Sequence, residues 1–483
     1  MQNLENILLD LKVTKILGSK NISVKNILYD SKKVREYSLF VAIKGTSTDG
    51  HLYIEDAIRN KANSIICEVL PNQINRDVTY IQVSDTQKSL AIIASNFYKS
   101  PSKKIKLVGV TGTNGKTSTV FFLKQLFEKL GNKVGMISTI HIEINNQIFD
   151  SSHTTHCPIK TNELLRKMVD TGCEYCFMEV SSHGLSQNRV FFLDFDIGVF
   201  TNISHDHLDY HNSFENYLNS KKSFFDILSK NAKSIINIDD SNFSKLIDNT
   251  KSKIAFYGKG KQADIIGSIL NSNIDGIEIL INGNSVLTKI SGDFNLYNIL
   301  ATFSVALEFG YSEKLILKSI SSLEPVPGRF NIIKSKKNIY GIIDYAHTPD
   351  ALQEVIRSVS NYCDIEKQLI IVCGCGGNRD QSKRPEMGNI ASKNCFKSIF
   401  TSDNPRNEDP VLILNDIKSG VLEKYLNKTH FISDRLKAIE FAVSIAKNKS
   451  IILLTGKGHE QFQEHNGVKV PFDDYKTLYN LLK

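Results

Sequence analysis

Ile105-Lys-Leu-Val-Gly-Val110, running straight into Thr111-Gly-Thr-Asn-Gly-Lys-Thr-Ser118, decides how this chain of 483 residues folds. The first segment is a continuous apolar run of the kind buried in a parallel sheet, and residues 117–130 that follow carry helical patterning. Strand, glycine-rich turn and helix in that order build a cradle for phosphate. Glycines let backbone N–H groups approach the anion, and the helix N-terminus adds partial positive charge. Gly112, Thr113, Asn114, Gly115, Lys116, Thr117 and Ser118 are therefore candidate nucleotide contacts. Lys116 is placed for the β- and γ-phosphates and the Thr117 hydroxyl for Mg²⁺. The strict spelling G-x-x-x-x-G-K-[ST] wants a glycine where Val110 stands, so the loop is a variant. Alone it implies ATP or GTP and leaves kinase, helicase, transporter ATPase and ligase open.

Outward from the loop, apolar runs at 175–180, 197–201 and 234–238 alternate with helical stretches, the pattern of a doubly wound α/β domain. Leu323-Glu-Pro-Val-Pro-Gly328 breaks it. Beyond that break, strands at 340–344, 368–373 and 450–455 predict a second, Rossmann-like α/β unit. Before the loop, residues 39–43 and 64–67 read as strands, 87–98 as a helix and Ser100-Pro-Ser-Lys-Lys104 as a linker. A length prior of about 150 residues per domain agrees with three domains. The expected division is 1–100, 101–325 and 326–483, with the central P-loop-type ATPase domain between an N-terminal and a C-terminal α/β domain.

Composition narrows the function classes. Hydrophobic content of 41% and charged content of 23% describe an ordinary globular chain. The net charge of +8 arises from 59 basic and 51 acidic residues without a basic stripe, which argues against nucleic acid and suits anionic small ligands. The N-terminus reads as a short amphipathic helix, and no run reaches the ~18 apolar residues that span a bilayer, so no membrane association is expected. Eight sparse cysteines in apolar surroundings point to a reducing, cytoplasmic setting. Cys173/Cys176 and Cys373/Cys375 do not form a matched pair of zinc knuckles and read as buried thiols.

Further motifs follow the loop in a fixed order: Glu179-Val-Ser-Ser-His-Gly-Leu185, Thr201-Asn-Ile-Ser-His-Asp-His-Leu-Asp-Tyr-His211, Gly292-Asp-Phe-Asn-Leu-Tyr-Asn298, Pro327-Gly-Arg-Phe330, Asp344-Tyr-Ala-His-Thr-Pro-Asp350, Gly374-Cys-Gly-Gly-Asn-Arg-Asp380, Ser402-Asp-Asn-Pro-Arg406 and Gly456-Lys-Gly-His-Glu460. Together, from about residue 30 to 460, they resemble the Mur ligases, and most closely the diaminopimelate-adding members. The resemblance implies a UDP-binding first domain, a central ATPase and a C-terminal domain that closes over the site. It also implies an ATP- and Mg²⁺-dependent reaction. The D-glutamate carboxylate of UDP-N-acetylmuramoyl-L-alanyl-D-glutamate becomes an acyl phosphate and is attacked by the amine of meso-diaminopimelate, in a chain expected to act as a monomer.

Residue roles follow from the same resemblance. Glu179 and His207 join Thr117 as expected Mg²⁺ ligands, the carboxylate suiting that hard ion better than the imidazole. Lys221 matches the family lysine carboxylated by CO₂, a reaction that needs the neutral amine; a solvated helix face is the plainer reading of Lys221-Lys222. Asn295, Asn298, Arg329, Asp344 and His347 complete the ATP site. Ser31, Lys44, Gly45 and Thr46, with Thr154, Thr155, Ser181, Gln187 and Arg189, are expected at the UDP-peptide. Arg379, Asp403, Asn404, Pro405, Arg406, Gly456 and Glu460 are expected at diaminopimelate, where arginine forks hold the distal carboxylate that lysine lacks and Glu460 accepts from the distal ammonium.

Three positions depart from the family pattern. His156-Cys157 replaces the usual Pro-Asp after the two threonines, His205 stands where arginine is common and receives no role, and Asn378 replaces an aspartate beside Arg379. A lysine-adding ligase, a folylpolyglutamate synthase and a non-catalytic nucleotide-binding protein are the competing readings.

Overall fold

The computed structural model describes residues 1–45 and 48–483, with every side chain in them except that of Glu366. Three large sheets follow one another along the chain, with two small two-stranded ones beside them. The first is five-stranded: Asn26–Leu28, Ser38–Val41, Ala62–Cys67 and Thr79–Val83 run parallel, and Val13–Leu17 closes one edge antiparallel. Helices Ile54–Arg59 and Thr86–Phe97 cover it, the latter started by the Asp85 carboxylate accepting from the Lys88 N–H at 2.9 Å.

The central sheet has eleven strands. Val134–Ile137, Tyr175–Glu179, Lys106–Thr111, Ile197–Phe200, Lys233–Asn237, Lys253–Gly258 and Ile265–Asn273 lie side by side and parallel. Antiparallel hairpins extend both edges: His141–Ile144 with Gln147–Asp150 on one side, Gly276–Ile281 with Asn284–Leu287 on the other. Helices Lys116–Lys129 and Asn295–Glu308 pack together on one face around Phe122, Phe127, Leu300 and Phe303. The other face buries Met168, Leu193, Phe224 and Phe225. Burial on both faces explains why these strands read as unbroken apolar runs.

The third sheet orders Asn331–Lys334, Tyr340–Ile343, Ile451–Leu454, Leu369–Cys373, Lys397–Phe400 and Thr429–Phe431, all parallel except the first. Its last helix, Asp474–Leu482, is tied in by an ion pair with no solvent exposure, Arg435 to Asp474 at 2.8 and 2.6 Å. Arg435 also donates to the Ser402 and Thr455 carbonyls. Arg435→Met is expected to cost about 3–5 kcal/mol by stranding a buried carboxylate, whereas Arg435→Met/Asp474→Leu recovers most of it. Urea midpoints of the two variants check this.

The expected N-terminal helix shrinks to the single turn Leu4–Ile7, since Asn3 pairs in a short strand with Ser23 and the chain reverses at Asp10 (φ 61°). The edge hairpins of the central sheet carried no expectation. Short, partly wet strands such as Asn284–Leu287 lack the long apolar run of a buried strand. Cys173, Cys176, Cys373 and Cys375 are all buried free thiols.

Candidate functional site

The chain leaves Lys106–Thr111 for Val134–Ile137, two positions away, and returns to Tyr175–Glu179 between them. It then crosses to Ile197–Phe200 on the far side of Lys106–Thr111. This reversal opens a crevice at the carboxyl ends of the strands, where doubly wound sheets take ligands. The loop 112–115, Glu179 and Thr201 all lie at that edge.

Two glycines are required there. Gly112 has φ +150° and a Cβ would strike the Thr201 hydroxyl; Gly115 has φ +84° and a Cβ would strike the Asn298 amide oxygen. Residues 201–202 brace the loop: Thr113 N–H donates to the Asn202 carbonyl at 2.8 Å, Asn114 N–H to Asn202 Oδ1 at 2.9 Å, and Thr201 Oγ1 to the Asn114 carbonyl at 2.6 Å. Lys116 Nζ curls back onto the Gly112 and Thr113 carbonyls, each at 2.8 Å.

Lys221 Nζ donates to the same Gly112 carbonyl at 2.7 Å and lies 4.5 Å from the centre of the Tyr217 ring. Tyr217 in turn shares a 2.9 Å hydrogen bond with the Thr113 hydroxyl. Lys221 is 1% exposed, and among the described residues no carboxylate is in hydrogen-bond reach. Burial, and then the neighbouring Lys116 ammonium, push its amine well below the ordinary lysine range; the Asp206 carboxylate pulls the other way. The solvated-face reading of Lys221 therefore gives way. Its neighbour Lys222 takes the surface role and pairs with Asp226 at 2.8 Å.

Glu179 is wholly buried, and its carboxylate accepts from Thr117 Oγ1 at 3.0 Å, Thr139 N at 2.7 Å and Thr139 Oγ1 at 3.1 Å. Thr139 Oγ1 also lies 3.0 Å from Thr154 Oγ1, within hydrogen-bond distance. His207, in the left-handed region (φ 56°), lies beside Asp206 at 3.4 Å and packs against the His183 ring at 4.7 Å. Burial keeps its imidazole neutral despite Asp206, and a neutral ring has a lone pair to offer a metal. Among the described residues no cluster of three or more His, Cys, Asp or Glu stands ready for a metal. Mg²⁺ that bridges phosphates needs only one or two protein oxygens, and the adjoining Thr117 and Glu179 side chains fit it.

The third domain reaches this crevice through Arg329. Its guanidinium stacks on Tyr345 at 4.2 Å and donates to Thr117 Oγ1 at 3.4 Å. Asp344 acts at one remove: its oxygens accept from Phe330 N at 2.8 Å and Ala346 N at 2.7 Å, so it shapes the turns that carry Arg329 and His347. His347 Nδ1 lies 2.8 Å from the Tyr345 carbonyl. Asn298 donates to Asn295 at 2.8 Å, and a small crevice lined by Ser118, Phe122, Asn295, Val326, Arg329 and Phe330 opens beside the helix start.

Of the residues expected at the UDP-peptide, those of the central domain form one network. Arg189 donates to the Thr155 carbonyl at 2.6 Å and to Gln187 Oε1 at 2.7 and 3.0 Å, while Thr155 Oγ1 links the Glu179 carbonyl to Ser181 N, both at 2.9 Å. Ser31 opens a short turn next to Tyr29, whose phenol meets the Cys157 thiol and the field of Arg189. Lys44 and Gly45 instead contact their own domain, at Gln87 and Thr48. Thr46 lies outside the described residues. The departure at His156 is absorbed by burial, which lowers that imidazole to about 4 and keeps it neutral.

The residues expected at diaminopimelate gather above the third sheet. Asn404 Nδ2 donates to Glu460 Oε2 at 2.7 Å, Arg406 Nη1 donates to the Gly377 carbonyl at 2.7 Å, and Gly377 lies so close to the Pro405 carbonyl that a Cβ would not fit. Gly456 (φ +103°) leaves room for the Asp403 carboxylate. Arg379 is exposed and forms no hydrogen bond or ion pair among the described residues, and its charge reaches His183 and Tyr345 across the cleft. His205 lies 3.6 Å from Asp380, bridging the second and third domains. Sequence reasoning missed Thr139, Tyr217 and Lys457. Position at the carboxyl end of a parallel strand was the signal for Thr139; Tyr217 carried none, and Lys457 stands without a role inside Gly456-Lys-Gly-His-Glu460.

If Lys221 serves as a carbamate, Lys221→Ala should lose at least about a hundredfold in turnover, and short-chain carboxylic acids should restore part of it. Initial rates with and without added acetate or propionate decide this.

Comparison with known proteins agrees with this geometry. Residues 23–98 match the model described as "Mur ligase family, catalytic domain", residues 110–306 the "Mur ligase middle domain", and residues 328–458 the "Mur ligase, glutamate ligase domain". A UDP-N-acetylmuramoyl-L-alanyl-D-glutamate–2,6-diaminopimelate ligase of Parabacteroides distasonis is 43% identical over 468 residues, covering 97% of this chain and 96% of the relative. The ligase of the same description from Phocaeicola vulgatus is 43% identical over 478 residues, covering 99% of each. A solved structure of a ligase so named superimposes with a TM-score of 0.70 at 28% identity, covering 100% of this chain and 98% of the other.

Proposed function

The chain belongs to the Mur ligase family, and from that premise we propose that it joins meso-diaminopimelate to the D-glutamate of UDP-N-acetylmuramoyl-L-alanyl-D-glutamate at the expense of ATP, in peptidoglycan precursor synthesis. The observation that carries the reading is the meeting of Arg329 from the third domain with Thr117 on the phosphate loop, which faces the amine-binding domain toward the nucleotide.

The chemistry runs in two displacements. A side-chain carboxylate oxygen of the D-glutamate attacks the γ-phosphorus, the bond to the bridging oxygen breaks, and ADP leaves. The free amine of diaminopimelate then attacks the acyl carbon, the carbon–oxygen bond to phosphate breaks, and phosphate leaves while the amine proton passes to solvent. Two anions must approach in the first step, so cations must surround them. Lys116 and Arg329 supply two fixed ones. Mg²⁺ held at Thr117 and Glu179, with His207 at its edge, would offset the remaining charge. The Arg189–Thr155–Gln187 network orients the peptide, and the third domain presents the amine.

ATP, a nucleotide-linked substrate and free thiols suit a cytoplasmic enzyme, and among the described residues no helix is long and apolar enough to cross a membrane. One chain supplies every group named here, which suits action as a monomer. The test is ADP release by the purified protein: it should require the UDP-dipeptide and proceed with meso-diaminopimelate, with L-lysine a poor replacement. Equal rates with the two amino acids would overturn the choice of acceptor.

A further inference from the structure

The segment Gly456-Lys-Gly-His-Glu460 holds a lysine to which nothing above gives a role. Lys457 is fully buried, donating to Glu460 Oε2 at 2.9 Å and to Asn404 Oδ1 at 3.2 Å. Asn404 completes the triangle with its own bond to Glu460 and accepts from the Glu464 N–H at 3.0 Å. Lys457 is not a snorkelling surface lysine, because its whole side chain is shielded from solvent. A buried ammonium is tolerated only when paired, and here the pairing ties together two residues assigned to the acceptor pocket.

Asp403 is 7% exposed, beside Gly456, and its carboxylate receives no hydrogen bond among the described residues. Burial raises its pKa above the usual carboxylate range, Lys457 and Arg435 pull it back down, and Glu460 and Asp474 add to the rise. Arg435 is already neutralised by Asp474. That leaves two acidic groups, Asp403 and Glu460, sharing one ammonium, Lys457, an excess of one acidic group. Arg406 lies on the other side of the loop, its guanidinium within reach of Gly376, and Arg379 flanks the same glycine. One negative centre and an arginine pair side by side complement a zwitterion, an ammonium next to a carboxylate.

We propose that Lys457 is a positioning residue which acts as a built-in counter-ion, fixing the acceptor pocket at one negative charge and holding Glu460 and Asn404 in place, so that the pocket selects the zwitterionic end of a diamino dicarboxylic acid over a simple terminal ammonium. This rests on the proposed ligase reading. Without Lys457 the two carboxylates repel, the pocket carries two negative charges, and a plain cation such as the lysine side chain gains relative to a zwitterion.

The test measures steady-state kinetics of Lys457→Met, an unbranched apolar replacement of similar length, and of Lys457→Gln, with meso-diaminopimelate and L-lysine as alternative acceptors. The expected result is a rise in KM for meso-diaminopimelate of about thirtyfold or more, and a fall in the preference for it over lysine of about tenfold or more. KM values for ATP and the UDP-dipeptide should stay within about twofold. An unchanged diaminopimelate KM, an unchanged preference, or a parallel rise in all three KM values would overturn the proposal. Lys457→Gln retains a donor and a polar interior; it guards against a methionine variant that fails to fold, and must show the same loss of preference. Failure of the wild-type protein to use diaminopimelate at all would instead overturn the ligase reading, a distinct outcome.

Discussion

Lys116→Ala is expected to lower ADP formation at least about a thousandfold while leaving the melting temperature unchanged or slightly raised. Lys116 sits on the Gly112 and Thr113 carbonyls, and burial lowers its pKa, so the folded protein gains little from it. Its value lies in charge placed where a triphosphate must be met by a second anion. The substitution also removes the cation that, after burial, most depresses the Lys221 amine. Lys221 should then be protonated more readily and carboxylated less, so two supports of the reaction are lost together. Near-normal ligation by Lys116→Ala would remove the phosphate loop from the chemistry.

Arg406→Ala is expected to raise KM for meso-diaminopimelate about a hundredfold, equivalent to about 2.7 kcal/mol, with KM for ATP unchanged. Its guanidinium is held by the Gly377 carbonyl at 2.7 Å and stands 3.7 Å from Glu464, an arrangement that leaves donors free for a carboxylate. The backbone at Arg406 is left-handed, φ 53°, and is pinned through its N–H to the Glu464 carbonyl and through its carbonyl to Asn466 N. Alanine tolerates that conformation no better than arginine, so Arg406→Gly is the paired control that relaxes the backbone. Equal effects of the two variants on diaminopimelate KM would assign the loss to the side chain. An Arg406→Lys variant should be intermediate, since it keeps the charge and loses the fork. An unchanged KM in Arg406→Ala would dismiss the carboxylate-recognition argument.

Much of this was legible before any coordinates, and for physical reasons. Strands buried on both faces advertise themselves as apolar runs, so Lys106–Thr111, Tyr175–Glu179 and Leu369–Cys373 lay within a residue of their expected bounds. The glycines at 112 and 115 signalled a positive-φ backbone with no room for a Cβ. A strand with one wet face, such as that at 284–287, carries half the signal, and the buried strand at 141–144 is interrupted by His141 and Glu143, so neither presents an apolar run. Roles that depend on partners distant in sequence were the least visible. Nothing local says that Asp344 spends both oxygens on the turns at 330 and 346, or that Thr139 bridges Glu179 and Thr154. Lys457 stood inside a quoted motif, yet its burial between Asn404 and Glu460 arises only when segments about fifty residues apart are folded together.

The central claim is that the D-glutamate carboxylate is itself phosphorylated. The most direct measurement uses UDP-dipeptide carrying ¹⁸O in that side-chain carboxylate, followed by mass analysis of the inorganic phosphate after turnover with ATP and meso-diaminopimelate. An acyl phosphate leaves one labelled oxygen in each phosphate released. Unlabelled phosphate accompanied by peptide-bond formation would contradict the account.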